Sequence, residues 1–216
     1  MIEQTENFGF RGPVGICLGQ VPPYIAPGLF VGRGHELEEI AEILHPVQEV
    51  QKQKRLVLGG MGGIGKTQLA IAYAESRSEL YSSVLWLNAA SEATLKDSFR
   101  SIARLIFDIQ DSRLLESQDI TGRVHQWLSS STNTMWLLIF DNYDDPDLFE
   151  INDYFPQNSR NGVILVTTRW PDRVGGDILH IQPFQDVEDG LAVLQTRSKR
   201  ENVYSGMLPI SIPRTN

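Results

Sequence analysis

The sequence predicts an α/β domain: a five-stranded parallel sheet with helices packed on both faces. Three observations carry that expectation. Short continuous apolar runs at Leu56-Val57-Leu58, Val84–Leu87, Met135–Phe140, Gly162–Thr168 and Ile178–Ile181 alternate with segments of helical spacing. Runs without polar alternation suit strands covered on both faces, the usual condition of a parallel sheet. Between the first run and its helix lies Gly60-Met61-Gly62-Gly63-Ile64-Gly65-Lys66-Thr67, a glycine-rich loop of the strand–loop–helix kind.

In chain order, residues 1–27 carry Gly9, Gly12, Pro13, Gly15, Gly19, Pro22, Pro23 and Pro27, and read as an irregular lead-in. Leu37, Ile40, Ala41 and Leu44 recur at helical spacing until Pro46 closes the segment. A helix follows the glycine-rich loop from Gln68 to about Ser78. After the second strand, Ser91 or Thr94 is placed to cap a helix running to about Asp108. A further helix is expected near Ile120–Ser129, and a last one over Asp186–Thr196. The main domain is thus expected over residues 28–199, with an irregular tail over 200–216.

The chain has 216 residues, 41% hydrophobic, enough for one domain with a sizeable core. Its 19 basic and 27 acidic residues leave a net charge of −8, which argues against a general nucleic-acid-binding surface. No apolar run is long enough to span a bilayer, so no membrane partner is expected. The first residues are acidic and lack a secretory pattern. Cys17 is the single cysteine and has no partner for an internal disulfide, which fits a reducing compartment; the cytoplasm is the default expectation. The four histidines are scattered without metal-ligand spacing, and Trp86, Trp127, Trp136 and Trp170 read as core or crevice packing.

The loop at Gly60–Thr67 has the residue types of a phosphate cradle. Gly60, Gly62, Gly63 and Gly65, with Ile64 among them, let backbone N–H groups turn towards phosphate oxygens. Lys66 can set its ammonium against the terminal phosphates, and the Thr67 hydroxyl can ligate Mg²⁺. The following helix, beginning at Gln68, directs its positive end at the same anion. Asp141 ends the third expected strand, where an acid lies in the ligand crevice and can hold Mg²⁺. The next residue is Asn142, which cannot accept a proton from an attacking water. Asp144 and Asp145 are candidates for that task; a turn made by Asp-Asp-Pro-Asp is the alternative. Arg169 closes the fourth strand and is placed to sense a γ-phosphate. Val31, Gly32 and Arg33 precede the first helix and can approach an adenine edge, although a hydrophobic staple would read the same way.

Taken in order, Phe30-Val31-Gly32-Arg33, Gly60–Thr67, Val84-Leu85-Trp86-Leu87-Asn88-Ala89, Leu137-Leu138-Ile139-Phe140-Asp141-Asn142 and Ile164-Leu165-Val166-Thr167-Thr168-Arg169 resemble the NB-ARC nucleotide-binding domain of the STAND class of signal-transduction P-loop NTPases. The wording around Asp141 and the Ala-Pro-Gly-Leu-Phe-Val-Gly-Arg lead-in are similar to fungal NOD-like receptors. The resemblance covers roughly residues 28–196. It implies adenine held at Val31–Arg33, ADP at rest and ATP when active, Arg169 as γ-phosphate sensor, and oligomerising switches as the setting. Three departures matter. Gly34 stands where an acid usually follows Gly-Arg, with Glu36 nearby. Asn142 replaces the second strand-end acid. The helical subdomains that follow the sheet in the family are not recognisable; Gly206-Met207-Leu208-Pro209-Ile210 comes too early, and Pro213 would break the helix it should open.

The expected function is that of a regulatory module binding ADP or ATP with Mg²⁺, with slow or no hydrolysis. An active Mg²⁺-dependent ATPase using Lys66, Asp141 and Arg169 is one alternative. A non-switching fragment that pairs with further copies or with full-length STAND relatives is another. A small-molecule kinase would need an Arg-rich lid, and a GTPase an Asn-Lys-x-Asp segment; neither is present.

Overall fold

The computed structural model describes residues 16–19, 32–45, 53–107, 119–130, 133, 135–157 and 162–184. The strands are β1 (Ile16–Gly19), β2 (Lys54–Gly59), β3 (Ser83–Asn88), β4 (Trp136–Asp141), β5 (Gly162–Thr168) and β6 (Asp177–His180). The helices are α1 (Gly34–Leu44), α2 (Lys66–Ser76), α3 (Glu92–Phe107) and α4 (Ile120–Leu128). The sheet runs β1-β3-β4-β5-β2-β6, and every pairing is parallel.

All five expected strands are therefore present. A sixth, β1, lies within the stretch read as an irregular lead-in and pairs Ile16–Gly19 with Ser83–Trp86 on the outer edge of β3. Four residues, the last of them Gly19, carry little local signal; the partner strand supplies the ladder. The expected helix over Asp186–Thr196, the segment Gly206–Ile210 and Val31 lie outside the described residues.

Alternate residues of each central strand enter separate cores. Leu85, Leu87, Leu138, Phe140, Ile164 and Val166 pack with Leu95, Phe99 and Ile102 of α3 and Val124 and Leu128 of α4. On the opposite face, Leu56, Leu58, Trp86, Leu137, Ile139 and Leu165 meet Ile40 and Leu44 of α1 and Leu69, Ala70 and Tyr73 of α2. This two-sided burial is what continuous apolar strands require. Gly162 is needed where β5 passes β4: a Cβ there would lie 2.1 Å from the Trp136 indole.

Local capping follows from side-chain chemistry. Ser91 Oγ accepts the Thr94 N–H at 3.2 Å while Thr94 Oγ1 accepts the Ser91 N–H at 3.0 Å, a reciprocal cap on α3. Asp119 Oδ1 accepts the Gly122 N–H at 2.9 Å at the start of α4. Helix α2 ends at Ser76, two residues earlier than expected, and a 3₁₀ turn over Ser78–Leu80 leads into β3. Trp86 and Trp136 are buried as expected, whereas Trp170 is exposed; it follows Arg169 beyond the end of β5, where the sheet no longer covers it.

Candidate functional site

The carboxyl ends of β2, β4 and β5 lie side by side in the sheet, and the candidate residues follow directly from them. Sheet order alone thus gathers the phosphate loop, Asp141 and Arg169, which are far apart in the chain.

The loop after β2 needs its glycines. Gly60, Gly63 and Gly65 have φ of 152°, 77° and 101°. At Gly60 a Cβ would also stand 2.8 Å from the Ile181 carbonyl oxygen. Gly65 is the N-cap of α2 and brings no side-chain oxygen to the first N–H groups of that helix. Those donors therefore face the loop, which suits an anion. Gln68 lies in the same first turn.

Lys66 is 8% exposed, and its Nζ donates to the carbonyls of Gly60 at 2.7 Å and Met61 at 3.0 Å. Those bonds aim the ammonium across the mouth of the loop. Burial holds its pKa below the ordinary range; Asp144 opposes that, Arg169 adds to it and Asp141 opposes it.

Asp141 is 6% exposed. Its Oδ1 accepts hydroxyl bonds from Thr67 at 2.8 Å and Thr167 at 2.6 Å. Burial pushes its carboxyl above the usual carboxylate range, against both hydroxyls and the Lys66 charge. A buried carboxylate beside a threonine hydroxyl, next to a phosphate cradle, offers hard oxygen ligands of the type Mg²⁺ takes. Among the described residues no three His, Cys, Asp or Glu side chains converge. A cation here would thus draw its other ligands from phosphate and water.

Beyond β4 the chain is fixed to β5. The Asn142 N–H donates to Thr167 Oγ1 at 2.8 Å, the Tyr143 N–H to the Thr167 carbonyl at 3.0 Å, and the Thr168 hydroxyl to the Tyr143 carbonyl. Asn142 is held at φ 68°, a left-handed conformation that asparagine tolerates better than most residues. Arg169 follows and engages Asp144: its backbone N–H donates to Oδ1 at 2.7 Å and its Nε lies 2.8 Å from Oδ2. Of the two acids considered for activating water, Asp144 is therefore a partner of Arg169. Asp145 is exposed in the following turn.

Upstream, Gly32 has φ 82° and Arg33 is buried. The Arg33 guanidinium pairs with Glu36 at 2.5 Å, reaches the Ile64 carbonyl at 3.4 Å and lies 4.3 Å over the Phe184 ring. Glu36, noted in the sequence as the acid near Gly34, is thus the partner of Arg33. Arg33 ties the segment before α1 to the phosphate loop and to the chain beyond β6. Neither Asp144 nor Phe184 was identifiable as a partner from sequence spacing.

The family model described as the NB-ARC domain matches residues 33–198. A nucleotide-binding leucine-rich repeat (NLR)-like protein from Hyaloscypha variabilis is 28% identical over 163 residues, 68% of this chain and 16% of that protein. The disease resistance protein RGA2 of Solanum bulbocastanum is 27% identical over 160 residues, 71% of this chain and again 16% of its own. The chain thus spans about a sixth of the length of these relatives. The crystal structure of Cdc6p from Pyrobaculum aerophilum superposes with a TM-score of 0.55 at 14% identity, over 81% of this chain and 54% of that one, a likeness of fold.

Proposed function

Since this chain belongs to the NB-ARC domain family, we propose that it binds ADP or ATP with Mg²⁺ as the nucleotide module of a signalling switch, with slow or no hydrolysis. One observation carries the reading: the left-handed glycine loop, the uncapped start of α2, the Lys66 ammonium and the Thr67–Asp141 pair converge at one end of the sheet.

In this reading the loop N–H groups and Lys66 hold the phosphates. Thr67 and Asp141 hold the cation, which when bound offsets phosphate charge. Gly32 and Arg33, anchored on Ile64, set the segment that approaches the base. Arg169 reports on a third phosphate. Slow turnover follows from the side chains available. Asn142 cannot take a proton, and Asp144 is engaged with Arg169. The setting inside a longer protein, its partners and self-assembly are part of the same proposal, as is action in the cytoplasm; among the described residues no helix is long and apolar enough to cross a membrane.

Calorimetric titration of ADP, ATP and GTP with Mg²⁺, beside Lys66→Ala, tests it. Adenine-nucleotide binding that is lost in Lys66→Ala supports the module. Equal affinity for GTP would remove the adenine reading. No binding by the intact chain would favour an interaction fragment instead.

A further inference from the structure

Asp144 holds Arg169 at two points, backbone N–H and guanidinium, at 2.7 and 2.8 Å. The same carboxylate also raises the proton affinity of Lys66, against the burial that lowers it. One partly buried acid thus pairs with Arg169 and adds negative charge near Lys66, the two cations that a polyphosphate tail would use. The acid cannot easily drift away. The preceding residue, Tyr143, is bonded through its N–H to the Thr167 carbonyl and through its carbonyl to the Thr168 hydroxyl.

We propose that Asp144 is a specificity-determining residue of this site, which competes with a third phosphate for Arg169 and so weights binding towards the diphosphate. The inference rests on the nucleotide-binding reading above. A triphosphate has to take the Arg169 guanidinium from a formed ion pair and bring further negative charge towards a carboxylate. A diphosphate does neither. Only such differential contacts let a site distinguish two ligands. The Arg169 side chain is 52% exposed and that of Asp144 20%, so the pair is partly screened and exchange is feasible. The device differs from one that activates water: the carboxylate is used as an anion, and no proton moves.

The test measures the affinity ratio of a non-hydrolysable ATP analogue to ADP, with Mg²⁺, in the intact chain. Variants are Asp144→Asn, Arg169→Ala and their combination. Asp144→Asn is expected to raise the ratio about fivefold, the scale of a half-exposed ion pair. Arg169→Ala lowers the ratio, and in that background the gain from Asp144→Asn shrinks. Asp145→Asn, an equal change of net charge on the exposed neighbour, leaves the ratio unchanged. Asp144→Ser retains an acceptor for the Arg169 N–H and repeats the measurement if Asp144→Asn does not fold. An unaltered ratio in the Asp144 variants overturns the inference, as does an equal gain with and without Arg169, or the same gain from Asp145→Asn. A wild-type chain that binds neither nucleotide instead overturns the nucleotide-binding reading itself.

Discussion

The Thr67 hydroxyl donates to Asp141 Oδ1 at 2.8 Å, joining the first turn of α2 to the end of β4 across 74 residues of chain. Thr167 donates to the same oxygen from β5. One buried carboxylate therefore fastens three elements at the point where the phosphate loop becomes a helix.

Asp141→Asn separates structure from charge at that point. An asparagine carbonyl can accept both hydroxyls, and the change removes a carboxylate whose ionised form is disfavoured by burial. The melting temperature is expected to hold or rise. The Mg²⁺-dependent part of nucleotide affinity falls about tenfold or more. Thermal melts and titrations with and without Mg²⁺ read the two effects apart.

Two loop glycines predict different costs for one added methyl group. At Gly65, φ is 101° and nothing lies within 4 Å, so Gly65→Ala meets only backbone strain of about 1 kcal/mol. At Gly60 the strain is joined by a contact of 2.8 Å to the Ile181 carbonyl oxygen, which is backbone and cannot rotate aside. Gly60→Ala is expected to cost roughly 2–3 kcal/mol. Urea denaturation of both variants compares them directly, and equal losses would count against the contact.

The candidate site was only partly legible in the sequence, and its divisions are physical. The five expected strands are short apolar runs, so their existence and parallel direction could be read locally. Lys66, Thr67 and Asp141 sit at the ends of such elements, and a parallel sheet brings those ends to one side. What escaped depends on pairing across the chain. Strand β1 has too few residues to declare itself and takes its register from Ser83–Trp86. Arg33 meets Phe184, and Arg169 meets Asp144, through contacts that no spacing rule contains. The turn reading of Asp144 and the catalytic reading both missed its partner for that reason.

Tyr73 and Tyr81 form a buried hydroxyl pair at 2.6 Å beneath α2. Removing either hydroxyl strands the other away from water. Tyr73→Phe and Tyr81→Phe are each expected to cost about 1–3 kcal/mol, and the double variant less than their sum. A double-mutant cycle by chemical denaturation measures the coupling; strict additivity would show the two hydroxyls to be independent.

His125 on α4 donates through Nε2–H to the Tyr154 carbonyl, 3.0 Å away, which fixes the neutral ring as the Nε2–H tautomer. Burial lowers its pKa from the ordinary 6.5, against that backbone bond and the charge of Asp119. As pH falls through the ordinary value, the unfolded chain takes up a proton that the folded chain declines. Stability then falls with pH until the folded ring also protonates. The denaturation midpoint of the wild type should drop between about pH 7.5 and about pH 5.5 by more than that of His125→Gln, whose amide can also donate to Tyr154. Parallel losses would place the acid sensitivity elsewhere.

The bonds that bind the segment after β4 to β5 have a mechanical consequence. Asn142 and Tyr143 are stitched to Thr167 and Thr168 by backbone and hydroxyl contacts, so the strand bearing Asp141 and the strand bearing Arg169 form one stiff plate. Neither can slide against the other without breaking several bonds together. A force applied by a ligand at this end is thus not absorbed by shear within the sheet. Under the nucleotide-binding function proposed above, the part left to respond is the Arg169 side chain, half in solvent, which would swing like a pointer from a fixed pivot.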